Sequence, residues 1–225
     1  MGEGIGEVLP FAVGVAISPV PIIAVILMLF SRRARVNGPV FLLGWALGLA
    51  LVSGAVYAIS DTANTATSST ASDTVSWGKI VLGVVLLLAA VRNLRNRPKP
   101  GAEPEMPRWM ASIDTLTPPK ALGLGVLLSS VNPKNLILAI AAATGVAQLG
   151  ISTSDAVVSL IVFVVIASVT IAGPVVYYLV GGEHAQAGLD ELKGWLGVHN
   201  QAVMAVLFLV FGVVLISKGL PPLTS

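Results

Sequence analysis

Lys134 stands in the middle of an apolar stretch, Leu122 to Val146, that is long enough to cross a membrane. Its surroundings read Val131-Asn132-Pro133-Lys134-Asn135. A charge near a bilayer midplane is costly and marks a functional site by default. Roughly a dozen residues, about 18 Å at the helical rise, separate it from either end of the stretch, a long reach for a lysine that snorkels to the surface. Pro133 removes a backbone donor and clashes with the preceding turn, so the helix breaks there. Broken backbone is tolerated at membrane depth only where it is buried in protein or lines a cavity. The chain is therefore constrained to a bundle of spanning helices that shelters this break.

Composition agrees. Apolar residues make up 55% of the 225, and charged residues 11%, where a soluble domain carries about 25%. The net charge of +2 is too small to argue for nucleic acid. With no cysteine, disulfides and thiolate metal sites are excluded. The two histidines, His184 and His199, lie in or near a loop. No metal or cofactor is expected.

Hydropathy marks six segments: Val8–Phe30, Pro39–Ile59, Ile80–Val91, Leu122–Val146, Val157–Val180 and Ala202–Ile216. The third is short unless Val75–Lys79 and Arg92–Leu94 extend it. Glu3 and Glu7 precede the first, which lacks the basic flank of a signal peptide. Arg32, Arg33 and Arg35 follow the first segment, and Arg92, Arg95, Arg97, Lys99 and Arg108 follow the third. The links after the second and fourth carry no Lys or Arg between Asp61 and Ser76 or around Asp155. Lys and Arg in short loops mark the cytoplasmic side, which puts both termini outside. The loop after the fifth segment departs from the pattern, with Glu183, Asp190 and Glu191 against Lys193.

The expected organisation is a first three-helix repeat over 1–95, a cytoplasmic linker over 96–118 and a second repeat over 119–225. Pro98, Pro100, Pro104 and Pro107 stiffen the linker. Trp109, Met110, Ile113 and Leu116 share one helical face, as do Leu189, Leu192, Trp195 and Leu196. Each stretch is expected either to lie in the membrane surface or to pack on the bundle as an ordinary loop helix.

An internal repeat supports this division. Ser18-Pro19-Val20-Pro21 and Ser130-Val131-Asn132-Pro133 share Ser-x-x-Pro at mid-span, half a chain apart, and at the same offset Gly38 meets Gly150. Three spans per half require the halves to be inverted. The expected fold is an all-α integral membrane protein of six transmembrane helices, two inverted three-helix repeats with proline-broken helices one and four. Paired broken helices in inverted repeats point to a transporter with its site near the midplane.

A half-helix beginning at Pro21 or Pro133 presents free amides and positive dipole charge, which suits an anion. Lys134 adds a full charge, Asn132 and Asn135 add donors and acceptors, and Ser18, Ser129 and Ser130 add hydroxyls. Pro19, Pro21 and Pro133 shape the breaks. No carboxylate falls inside the six segments, which favours a carboxylate, phosphate or sulfate group on the substrate over a bare cation. Gly173-Pro174 reads as a hinge, with Thr170 positioned to satisfy freed backbone groups. Gly44-x-x-x-Gly48 permits close packing within the bundle or a homodimer.

Ser18-Pro19-Val20-Pro21-Ile22-Ile23-Ala24-Val25, Arg33-Ala34-Arg35-Val36-Asn37-Gly38 and Phe41-Leu42-Leu43-Gly44-Trp45 resemble the GAP, or peptidoglycolipid-addressing protein, family. So do Trp109-Met110, Ile113-Asp114, Leu116-Thr117-Pro118 and Val131-Asn132-Pro133-Lys134-Asn135-Leu136. That family belongs to the LysE superfamily of small exporters and includes the sulfolipid-addressing proteins. The resemblance covers nearly the whole chain and implies a six-span inner-membrane protein that helps to export envelope glycolipids. Relatives in the superfamily export amino acids or other small solutes.

The expected function is alternating-access export of an anionic or amphipathic solute, with a glycolipid or its precursor favoured by the resemblance and an amino-acid-like solute as the second choice. Expected partners are membrane lipids and the anionic or lipid-linked substrate, with a homodimer or a larger lipid-export machinery as further possibilities. A scaffold that addresses such machinery without moving lipid is the non-transporting alternative. An intramembrane enzyme would need Lys134 to pair with Ser129 or Ser130 as a dyad. The helix-breaking context explains Lys134 better as a binding charge, so no enzyme is expected.

Overall fold

A computed structural model describes residues 1–66, 70–95, 113 and 115–220. The described chain is all-helical. Its helices are α1 (Gly2–Ala16), α2 (Pro19–Leu29), α3 (Ala34–Ala66), α4 (Thr70–Arg95), α5 (Pro118–Ser130), α6 (Pro133–Gln148), α7 (Thr153–Gly181) and α8 (Gln186–Gly219), with a 3₁₀ turn at Gly182–Ala185 between the last two. Linker residues Arg97, Lys99, Arg108, Trp109 and Met110 and the four linker prolines lie outside the described residues.

Three helical stretches are long and apolar enough to cross a membrane: Ala34–Thr62, Ser76–Arg95 and Thr153–Gly219. Two bent pairs raise the count to five: α1 with α2, bent by 56°, and α5 with α6, bent by 64°. Both expected breaks are therefore present. The first starts its second half at Pro19 rather than Pro21, because Ser18 takes the N-cap and Pro19 the first helical position, where a missing N–H costs nothing. The second starts at Pro133 with Asn132 as N-cap. By their caps, Ser18 corresponds to Asn132, two positions beyond the Ser130 that the Ser-x-x-Pro match pairs with it. Gly38 and Gly150 are not equivalent either. Gly38 lies inside α3, whereas Gly150 adopts φ +61° in the link before α7.

The short third segment is extended at both ends, as α4. The stretch before the sixth segment is not a separate surface helix. It forms the first turns of α8, because nothing between Leu196 and Ala202 stops the helix. Leu189 and Leu196 are buried while Leu192 and Trp195 are exposed, so the four residues do not share one buried face.

Helix packing crosses between the halves. α3 lies against α5 and α6, α7 lies against α1 and α2, and α4 pairs with α8. Glycines allow the closest approaches. A Cβ at Gly44 would strike the Leu122 carbonyl, one at Gly48 the Ser129 hydroxyl, and one at Gly125 the Phe41 carbonyl. The Gly44-x-x-x-Gly48 face is thus covered by α5 of the same chain and is not a free dimer face. Phe11, Ile26, Trp45, Leu138, Phe163 and Ile171, all fully buried, fill the centre.

The two ends of the bundle differ in chemistry. At one end the N-terminal amine meets Asp155 at 3.0 Å and Lys218 meets Glu7 at 2.5 Å. At the other end are Arg32, Arg33, Thr115 and Thr117, with the Lys193 ammonium 5.4 Å from the centre of the Phe30 ring.

Candidate functional site

The two breaks meet at the centre of the bundle. Helix α1 ends at Ala16, and its last carbonyls have no partner further along their own helix. Lys134, carried in by the first turn of α6, supplies one. Its Nζ donates to the Gly14 carbonyl at 2.7 Å, to the Ile17 carbonyl at 2.8 Å and to Ser18 Oγ at 2.7 Å. Ser18 Oγ shares its own proton between the Val15 carbonyl at 2.6 Å and Asn135 Oδ1 at 3.1 Å, so it can only accept from Nζ. Three acceptors match the three protons of an ammonium. A cation at the C-terminal end of a helix also complements the negative end of its dipole.

Thr170 of α7 completes the set, its hydroxyl donating to the Ala16 carbonyl at 2.5 Å. The expectation that Thr170 satisfies freed backbone holds in kind. The group it serves belongs to α1 rather than to the kink beside it. Pro174 is inside α7, which runs unbroken through Gly173. With no N–H at Pro174, the Thr170 carbonyl lacks its helical donor.

Asn135 joins the breaks from the other side. Its Nδ2 donates to the Leu128 carbonyl of α5 at 3.1 Å, and its Oδ1 accepts from the Ser18 hydroxyl at 3.1 Å. Asn132 uses its side chain locally, Oδ1 accepting from the Lys134 backbone N–H at 3.2 Å. Ser129 and Ser130 are not drawn to Lys134. Both hydroxyls donate to the Val126 carbonyl, at 3.0 and 2.6 Å. The serine that Lys134 meets is Ser18.

This geometry limits the helix N-termini as anion sites. Of the first three positions of α2, Pro19 and Pro21 lack an N–H, which leaves Val20. In α6, Pro133 has none and Asn132 takes that of Lys134, which leaves Asn135. With Lys134, Ser18 and Asn135 each at most 2% exposed, the junction is closed in this conformation and its ammonium is committed to protein acceptors.

A second polar cluster escapes a hydropathy reading. Glu7 of α1 pairs with Lys218 of α8, and Lys79 of α4 donates to Gln148 of α6 at 2.5 Å. Glu7 sits where Gly145 leaves room, since a Cβ there would collide with its carboxylate. Four helices are thus tied together at the end that holds the termini. The apolar window begins at Val8, so Glu7 reads from sequence as a flank. Its partner lies near the opposite end of the chain. Breaks and cluster are also unequally packed. α1 packs closely on α6, whereas α2 meets α5 only marginally and is covered instead by α3, α7 and α8.

The family described as Sap, sulfolipid-1-addressing protein, matches residues 8–221. The chain belongs to this family, and the resemblance carried by the two break motifs is correct at that level. No curated protein and no solved structure matches the chain.

Proposed function

We propose that this protein moves an anionic amphiphile, an envelope glycolipid or its precursor, outward across the inner membrane by alternating access. The observation that carries the reading is the meeting of two broken helices at a buried lysine. Broken helices paired across a repeat interface are the usual site of secondary transporters. A six-span count is supported by the 67 residues of Thr153–Gly219, about 100 Å of helix, enough for two crossings of a core of about 30 Å. The positive φ of Gly182 between α7 and α8 suits a reversal there. Two inverted repeats are supported by the crossed packing, in which each half's unbroken helix lies on the other half's broken pair.

In this mechanism the Lys134 contacts hold α6 against the end of α1 while the basic end is open. The substrate's anionic group competes with the α1 carbonyls for the ammonium, and rocking of the halves parts α1 from α6. The Glu7–Lys218 and Lys79–Gln148 contacts at the terminal end are then exchanged for packing of α2 against α5. The family name supports a lipid substrate, and an anionic head group matches the only ionised group at the junction. A catalytic role is not supported, since Ser18 points its proton at carbonyl oxygens and Ser129 and Ser130 turn theirs to Val126, away from Lys134.

The test is export in sealed vesicles reconstituted with the purified protein alone, using a fluorescent anionic lipid. The parent protein should translocate it, and Lys134→Met should lower the rate at least about 100-fold, the loss of an essential charged contact. No translocation by the parent, with lipid export in cells still dependent on it, would establish the scaffold role instead.

A further inference from the structure

We infer that the basic end of the bundle carries a binding site for one membrane lipid with an anionic head group, held by Arg32, Arg33 and Lys120 with an acyl chain lying along α5. The inference rests on the reading of the protein as a carrier of anionic amphiphiles and gives that substrate its docking place. Two hollows adjoin there. One, of about 640 Å³, is polar and is lined by Ser31, Arg32, Arg33 and Thr117 among others. The other, of about 590 Å³, is apolar and runs along α5 past Lys120, Leu124, Leu127 and Val131 to Asn132 at the break. Leu116 lines both, so they form one continuous surface, charged at one end and apolar along the other.

Charge and length both fit a lipid. Arg32, Arg33 and Lys120 are exposed, and among the described residues none of them takes part in a salt bridge. From Lys120 to Val131 the helix rises about 16 Å, and one leaflet of the hydrocarbon core is about 15 Å deep. A head group on the three bases therefore places its chain over the whole groove and its tail beside the break. Gly123 makes the groove concave. A Cβ there would meet nothing within 4 Å, so the space is open and a larger side chain fills it without displacing the protein. A saturable site of this kind differs from the general attraction of basic loops for anionic lipid, because it depends on the groove as well as on the charges.

The experiment uses the full chain in nanodiscs of equimolar phosphatidylglycerol and phosphatidylcholine, with retained lipid counted by native mass spectrometry. The parent should keep one phosphatidylglycerol in preference to phosphatidylcholine. Arg32→Ala, Arg33→Ala and Lys120→Ala should each weaken that preference roughly fivefold. Gly123→Trp should abolish it with every charge in place, and so should Val131→Trp, a second filling variant at a side chain already 61% exposed. Arg92→Ala with Arg95→Ala, basic residues at the end of α4, should leave it unchanged. Retention at the parent level in folded Gly123→Trp and Val131→Trp, or equal loss in the Arg92 and Arg95 variant, would overturn the site. Selective retention without vesicle export leaves the site standing and removes the transport reading. Export without selective retention does the reverse.

Discussion

The α1–α2 break bends the chain by 56° and the α5–α6 break by 64°, and each second half begins on a proline behind a polar N-cap. Their side chains diverge after that. By the cap alignment, Val20 and Pro21 of the first break stand where the second has Lys134 and Asn135. The first break offers carbonyls and one hydroxyl. The second sends an ammonium and an amide into it. The breaks are alike in backbone because both need to interrupt a helix at depth, and unlike in chemistry because one satisfies the other. A pair of identical breaks would leave the α1 carbonyls without a donor in a medium that has no water to replace it. The asymmetry also explains how a lysine is tolerated at mid-bundle: its cost is offset by short hydrogen bonds to two carbonyls at the negative end of a helix and to one hydroxyl.

The largest expected effect comes from removing that donor. Lys134→Met leaves the Gly14 and Ile17 carbonyls without this donor, each worth about 1–3 kcal/mol, while Ser18 Oγ keeps its own bonds. Thermal unfolding in detergent should show a loss of roughly 2–4 kcal/mol, with partial recovery on the milder Lys134→Arg. A Met variant as stable as the parent would show that the contact between the breaks is not structural. Asn135→Leu is next. It removes one bridge between the breaks and leaves the Leu128 carbonyl without its amide, so stability should fall by about 1–2 kcal/mol. The loss should be non-additive with Ser18→Ala, measured as a double-mutant cycle. Ser18→Ala alone should cost about 1 kcal/mol, since Nζ keeps two of its three acceptors. Additive losses would mean that the breaks are satisfied independently. Glu7→Gln should have the smallest effect on stability, a few tenths of a kcal/mol, because both members of its pair are partly exposed. Its informative readout is accessibility. A cysteine in place of Ala147, at the terminal end of α6, should react faster with a thiol reagent once the cluster is weakened. An unchanged rate would remove Glu7 from the closure of that end.

Much of this is legible in the residues. The Asn132-Pro133-Lys134-Asn135 run announces its break, because the proline removes a helical donor and the lysine is too costly at depth unless protein groups receive it. Ser18-Pro19-Val20-Pro21 does the same more weakly. Its two prolines are near-equal candidates for the start of the half-helix, and the expected Pro21 gives way to Pro19 because Ser18 takes the cap. Thr170 is legible as a backbone partner, yet its target is not, since the carbonyl it serves lies on a helix distant in sequence. Glu7, Lys79, Gln148 and Lys218 escape for the same reason. Each stands at the edge of an apolar window, where a charged or polar residue reads as solvated.

By itself the sequence determined that helices cross a membrane, where two of them break, that basic residues gather in the loops after the first and third segments, and that a lysine is held at depth. These follow from transfer energies and backbone sterics, which act residue by residue. Tertiary structure alone decided that Lys134 serves the end of α1, that Asn135 ties both breaks, that Gly44 and Gly48 face α5, and that Glu7 and Lys218 meet across the chain. Those outcomes depend on which helix ends meet across half the chain. A hydrogen bond is specified by the position of both partners, and a sequence displays only one of them at a time.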